Sequence, residues 1–165
     1  MTAFKESRMT FDFADDCFYH IEKSQLHSQV EGFTTCECVV MLQDKVVLIE
    51  AKSSTPNPKN ENDFDDFIYD IVSKFRDTIA FYNAVLLRHD KEVIGSKLRA
   101  VDLKDADYQL LLIIHGHREE WLPPVLDELK SKLRHVLKIW KIKDTEVKVI
   151  NEKTAKEWHI ITNFD

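Results

Sequence analysis

The chain has 165 residues with a formal net charge of −6, and 44% apolar against 32% charged side chains allows one packed domain over 1–165 and excludes wholesale disorder. Only three glycines occur, Gly32, Gly95 and Gly116, where average usage supplies about eleven or twelve. A phosphate-cradling loop or dinucleotide fingerprint needs several glycines close together, so P-loop NTPases, Rossmann dehydrogenases and glycine-rich-loop kinases are excluded.

Apolar runs such as 46–49 and 110–114 are too short to cross a bilayer. The opening MTAFKESRMTFDF has no apolar stretch followed by a small-residue cleavage site, which argues against a secretory signal. Cys17, Cys36 and Cys38 make no disulfide framework. The expectation is a cytoplasmic protein with no membrane association. Charge is uneven: residues 1–75 carry 14 acids and 7 bases, residues 76–165 carry 15 acids and 16 bases.

In chain order, residues 12–27 read as a first helix with Cys17, Phe18, Ile21 and Leu26 as its apolar stripe. QVEGF is a candidate strand. TTCECVVML and KVVLIEAK, joined by Gln43-Asp44, read as a β-hairpin because short β-branched runs flank a polar pair. STPNPKNEN is a loop. A long helix is predicted over 63–89, where Phe64, Ile68, Ile71, Phe75, Ile79 and Tyr82 recur on one face and Asp63, Asp65 and Asp66 suit the first turn.

Residues 90–107 are polar and ambiguous. YQLLLIIHG reads as a buried strand, because its apolar run is continuous. A helix over 119–139, opened by Pro123-Pro124, precedes EVKVI and WHIIT as strands. The order predicts a mixed α/β fold.

The hairpin places chemistry. With Gln43-Asp44 as a two-residue loop, Leu42 pairs with Lys45, Val39 with Leu48 and Glu37 with Glu50. Alternation then puts Lys52 on the face that carries Glu50 and Glu37. Opposed like charges destabilise a sheet, and buried carboxylates need a partner or a metal. A divalent cation would remove the conflict, because hard cations take carboxylate and carbonyl oxygens. The same residues also read as a plain Lys52–Glu50 pair at an exposed strand end, with Glu37 solvated.

Glu37, twelve intervening residues, then Glu50-Ala51-Lys52 closing an apolar strand resembles the PD-(D/E)XK nuclease superfamily, which includes restriction endonucleases and Holliday-junction resolvases. The element order is similar to that family's αβββαβ core over about 12–117, with 118–165 as a C-terminal helix and strand addition. The resemblance implies a restriction endonuclease-like mixed sheet flanked by helices. It also implies that Glu37, Glu50 and the Ala51 carbonyl hold Mg²⁺ or Mn²⁺, and that Lys52 is the catalytic lysine. Some members place a helix glutamate near the metal, for which Glu22 is the candidate. Members often aim a polar or basic residue of the long helix at the site, which here would be Lys74 or Arg76, with a salt bridge as the ordinary alternative.

One departure is that Glu37 follows Cys36, where the family usually has aspartate after proline. Lys130, Lys132, Arg134 and Lys138, continued by Lys141 and Lys143 with no acid between, form a basic stretch suited to a nucleic-acid backbone and equally to a solvated helix face.

The expectation is therefore a metal-dependent phosphodiesterase acting on DNA, with RNA not excluded, and the resemblance adds a homodimer. The alternative is an inactive binding module of the same fold. His115 and His117 lack the third ligand a zinc site needs and read as structural or as cleft-edge residues. Trp121, Trp140 and Trp158 read as packed.

Overall fold

The computed structural model describes residues 1–165. Strands β1 (Thr2–Glu6) and β2 (Met9–Phe13) form an antiparallel hairpin turned by Ser7 and Arg8, at φ 49° and 66°. After the short β3 (Phe18–Tyr19), β4 (Cys38–Leu42) and β5 (Lys45–Lys52) form a second hairpin turned by Gln43 and Asp44, at φ 47° and 64°. Two consecutive left-handed residues are the hairpin turn whose twist matches that of the strands it joins. Its register is the one expected, Leu42 with Lys45 through Val39 with Leu48 to Cys38 with Ile49.

The rest of the chain alternates. Helix α1 (Glu61–Arg88) and the one-turn α2 (Ser96–Arg99) precede β6 (Tyr108–Ile114). Then come α3 (Leu122–Trp140), β7 (Val147–Asn151), α4 (Glu152–Glu157) and β8 (Ile161–Phe164). Helix α3 starts with prolines in its first turn, where no backbone donor is lost, and stops where Lys141 turns left-handed at φ 54°.

The main sheet runs β3-β4-β5-β6-β7. Its first three strands are antiparallel, whereas β5, β6 and β7 are parallel, so the sheet is mixed. On one face Val46, Leu48, Leu110 and Leu112 pack against Ile68, Ile71 and Phe75 of α1 and Leu129 and Leu133 of α3. On the other, Val47, Ile49, Leu111 and Ile113 meet Met9, Phe11 and Phe13 of β2, Ala155 of α4 and Ile161 of β8. The fold is thus α/β with a mixed sheet flanked by helices, the second face being shared with a small sheet ordered β1-β2-β8. No helix is long and apolar enough to cross a membrane.

Three expectations are corrected. There is no first helix over 12–27; three 3₁₀ turns, Asp15–Cys17, Ile21–Lys23 and His27–Gln29, stand there. The aromatic residues decide this: Phe4 stacks on Phe11 at 4.9 Å, and Phe13 on Phe18 at 5.6 Å, which needs extended chain rather than helix. QVEGF is not a strand, and the meander takes its first strand from Phe18–Tyr19 instead. Finally, the last 48 residues are not appended outside the core: β7 is the fifth strand of the main sheet and β8 pairs with β2.

Gly95 sits where the 90–107 segment crosses the start of β3. Its N–H donates to the Phe18 carbonyl at 3.0 Å, and a Cβ there would lie 2.6 Å from the Asp16 carbonyl oxygen and 2.7 Å from the Phe18 nitrogen. Backbone cannot yield as a side chain can. Gly95→Ala is expected to cost about 2–3 kcal/mol, and Gly116→Ala, with open space but φ 69°, about 1 kcal/mol. Urea denaturation of the two variants checks this; equal losses would contradict the close approach.

Candidate functional site

Alternation along β5 sends Val46 and Leu48 toward α1, and continues with Glu50 and Lys52 on the same face. Glu37, just before β4, precedes Val39 by two residues and so shares that face. The segment leading into it is tied to α1, because the Cys36 N–H donates to Thr78 Oγ1 at 2.7 Å. Above the strands, α1 commits Ile68, Ile71 and Phe75 to the core. That rotation brings Asp70 and Lys74, one turn apart, over the end of β5.

The four side chains form one network. Lys74 Nζ donates to Glu50 Oε1 at 2.8 Å, and Lys52 Nζ lies 3.2 Å from the same oxygen. Lys52 also donates to Asp70 Oδ2 at 2.9 Å. Glu50 is fully buried and Glu37 is 5% exposed, so the picture of a solvated Glu37 at an exposed strand end does not hold. Each carboxylate keeps one buried oxygen, Oε2, with no hydrogen-bond partner.

Burial pushes the Glu50 carboxyl up, opposed by the Lys74 and Lys52 ammonium groups. Glu37 is pushed up to about 9, first by burial, then by the Glu22 carboxyl beside it and the charges of Glu50 and Glu6. For Lys52 and Lys74 burial works downward, but Glu50 outweighs it, helped by Asp70, and both ammonium groups end above the usual lysine value.

Glu22 therefore comes beside Glu37, although from a 3₁₀ turn rather than a helix. Lys74 faces the site. Arg76, half exposed, instead pairs its Nε with Asp77 at 3.0 Å. Lys132, Arg134 and Lys138 are exposed on α3 and Lys130 is half-buried there; Lys132 pairs with Glu128 at 3.5 Å. Cys36 and Cys38 are buried free thiols, whose pKa burial pushes up. Trp121 and Trp158 are each about half exposed, 49% and 48%, against the expectation of packing, whereas Trp140 lies against the core.

Two participants were not read from the sequence. Asp70 was legible as the residue one turn before Lys74. Glu6 carried no signal; it reaches Glu37 only because the β1–β2 turn docks on the end of β5, where Ser7 Oγ donates to the Ala51 carbonyl at 3.0 Å.

No group of three or more His, Cys, Asp or Glu side chains converges in metal-binding geometry. The donors that could hold a hard divalent cation are two carboxylates, each with an orphaned oxygen, and the Ala51 carbonyl, which retains a second lone pair.

In metal-free protein the sign of the pH effect follows from Glu37. It ionises near 4.5 when unfolded and near 9 when folded, so folding takes up a proton between those values and stability falls as pH rises. Glu37→Gln is expected to flatten that fall and to be the more stable form at pH 8 by about 1–3 kcal/mol. Thermal melts in chelator at pH 5 and pH 8 check it; parallel slopes for variant and wild type would contradict it. No protein-family model, curated protein or solved structure matches the chain, so the site is read from its geometry alone.

Proposed function

We propose that the chain is a metal-dependent phosphodiesterase acting on DNA, with a PD-(D/E)XK nuclease-like site at Glu37, Glu50 and Lys52. The observation that carries the reading is the pair of buried, unpartnered carboxylate oxygens beside two ammonium groups at one strand end. Buried carboxylates left in this state are costly and are kept where they have a task.

Glu37, Glu50 and the Ala51 carbonyl would hold Mg²⁺ or Mn²⁺. Such an ion, when bound, polarises a phosphate and lowers the pKa of water. Lys52, its side chain 25% exposed, is the ammonium group that can meet an incoming phosphate and stabilise charge developing on its oxygens. Lys74, 15% exposed, anchors Glu50 from behind, and Asp70 restrains Lys52. The αβββαβ resemblance lacks its first helix here, and Glu22 reaches the site without one. The basic residues of α3 would follow the strand backbone, a contact weakened by salt.

A second reading, a nuclease-like module that binds without cutting, draws on one observation. Glu50 Oε1 is already engaged by both Lys52 and Lys74, so the site is partly neutralised from within.

The test is cleavage of supercoiled, linear, single-stranded and branched DNA with Mn²⁺, comparing wild type with Glu50→Gln and Lys52→Ala. Both variants are expected to lose at least about 100-fold in rate with folding intact by circular dichroism. Equal residual cleavage in all three would sink the assignment of the site. Absence of both cleavage and calorimetric Mn²⁺ binding, with DNA still bound, would select the second reading.

A further inference from the structure

A cleft of about 320 Å³ opens beside the proposed site, between the loop after β5 and the turn after β6. Pro56, Asn57 and Pro58 line one wall; His117, Glu120 and Trp121 line the other. It lies at the carboxyl ends of two parallel strands, where open α/β sheets receive ligands. The two strands that lead into its walls are joined at this end, where the Lys52 carbonyl accepts the His115 N–H at 2.8 Å. Thr55 on the cleft wall is three residues past Lys52, a span of at most about 11 Å.

The walls suit a flat aromatic guest. Trp121 opens half its surface to solvent, at 49%, and lines the cleft. His117 meets the Trp121 ring edge-on at 5.4 Å, which fixes the indole, and the Arg118 guanidinium lies 5.0 Å from the ring centroid. An aromatic with a planar cation beside it is the platform on which unpaired bases stack. Polar groups stand at the cleft's edge. Asn57 spends its Oδ1 on the Lys59 N–H and keeps its amide nitrogen as a donor, while the nearest cation to the Glu120 carboxylate is Arg118 at 3.8 Å.

We propose that this cleft holds an unpaired nucleobase of the strand whose phosphate lies at Lys52. The inference rests on the nuclease reading and narrows it: the substrate is single-stranded, or locally unpaired at the cut, because a base inside a continuous duplex cannot enter a cleft without leaving its stack.

The indole N–H signals of ¹⁵N-labelled protein report on this directly, with Trp121 identified by the signal lost in Trp121→Phe. In chelator, a twelve-nucleotide oligo-dT is expected to move the Trp121 signal, while a blunt duplex of equal length leaves it in place. Trp121→Ala should weaken single-strand binding about tenfold, equivalent to about 1.4 kcal/mol, and leave duplex binding unchanged. Failure of the Trp121 signal to move with any nucleic acid would overturn the proposal. An equally strong response to dTMP alone would also overturn it, replacing the strand by a free nucleotide.

The two readings separate cleanly. A Trp121 response without metal-dependent cleavage keeps the base site and ends the nuclease reading. Cleavage that depends on Glu50, with single strands cut equally well by Trp121→Ala, keeps the nuclease reading and ends the base site.

Discussion

A carboxylate with no exposure sits near the end of β5, where every residue from Val46 to Ala51 is buried, and the arrangement around it follows from the need to compensate that charge. Glu50 is held by Lys74 from α1 at 2.8 Å and by Lys52 from its own strand at 3.2 Å. Removing one partner of such a buried pair typically costs about 3–5 kcal/mol, because the other charge is then left unpaired. The angle at which α1 crosses β5 therefore answers to two constraints: the packing of Ile68, Ile71 and Phe75, and the placement of Lys74. Both are met by one helical stripe and its flank.

The same dependence reaches back to the hairpin turn. A register slip of one residue would send Glu50 and Lys52 to the face covered by β2 and β8, and would bring Ile49 and Ala51 under α1. Two residues at positive φ prevent this, since a two-residue turn of this kind fixes which residues oppose each other. The β1–β2 hairpin closes the other side with the same kind of turn, and its Ser7 hydroxyl fastens on the Ala51 carbonyl.

What the sequence made legible is what local physics decides. The β4–β5 register follows from a two-residue loop and alternation, and α1 and α3 follow from their apolar stripes within a few residues of the expected ends. Residues 12–27 form no helix although Phe18, Ile21 and Leu26 satisfy a helical spacing locally, because Phe18 stacks with Phe4 of β1 and Phe13 of β2 while Ile21 and Leu26 belong to the core on the opposite face of the sheet. Pairing of β8 with β2 joins the two ends of the chain, a contact no local pattern announces. Glu6 is missing from any sequence reading of the site for the same reason, since only the docking of that hairpin brings it near.

The cluster holds an imbalance that the protein does not cancel. Glu6, Glu22 and Glu50 act on Glu37 there, and Asp70 acts on the two ammonium groups, Lys52 and Lys74, that face these acids. A fold selected only for stability would replace Glu37 with an apolar residue, as it does at Cys36 and Cys38 on either side. Burial first, and the neighbouring acids after it, favour the proton on the Glu37 carboxyl and push it up to about 9. A divalent cation held by Glu37, Glu50 and the Ala51 carbonyl would be a second way to compensate that charge. Two buried acids thus stand close together at one strand end, an arrangement that local rules disfavour and that a bound proton or cation would compensate.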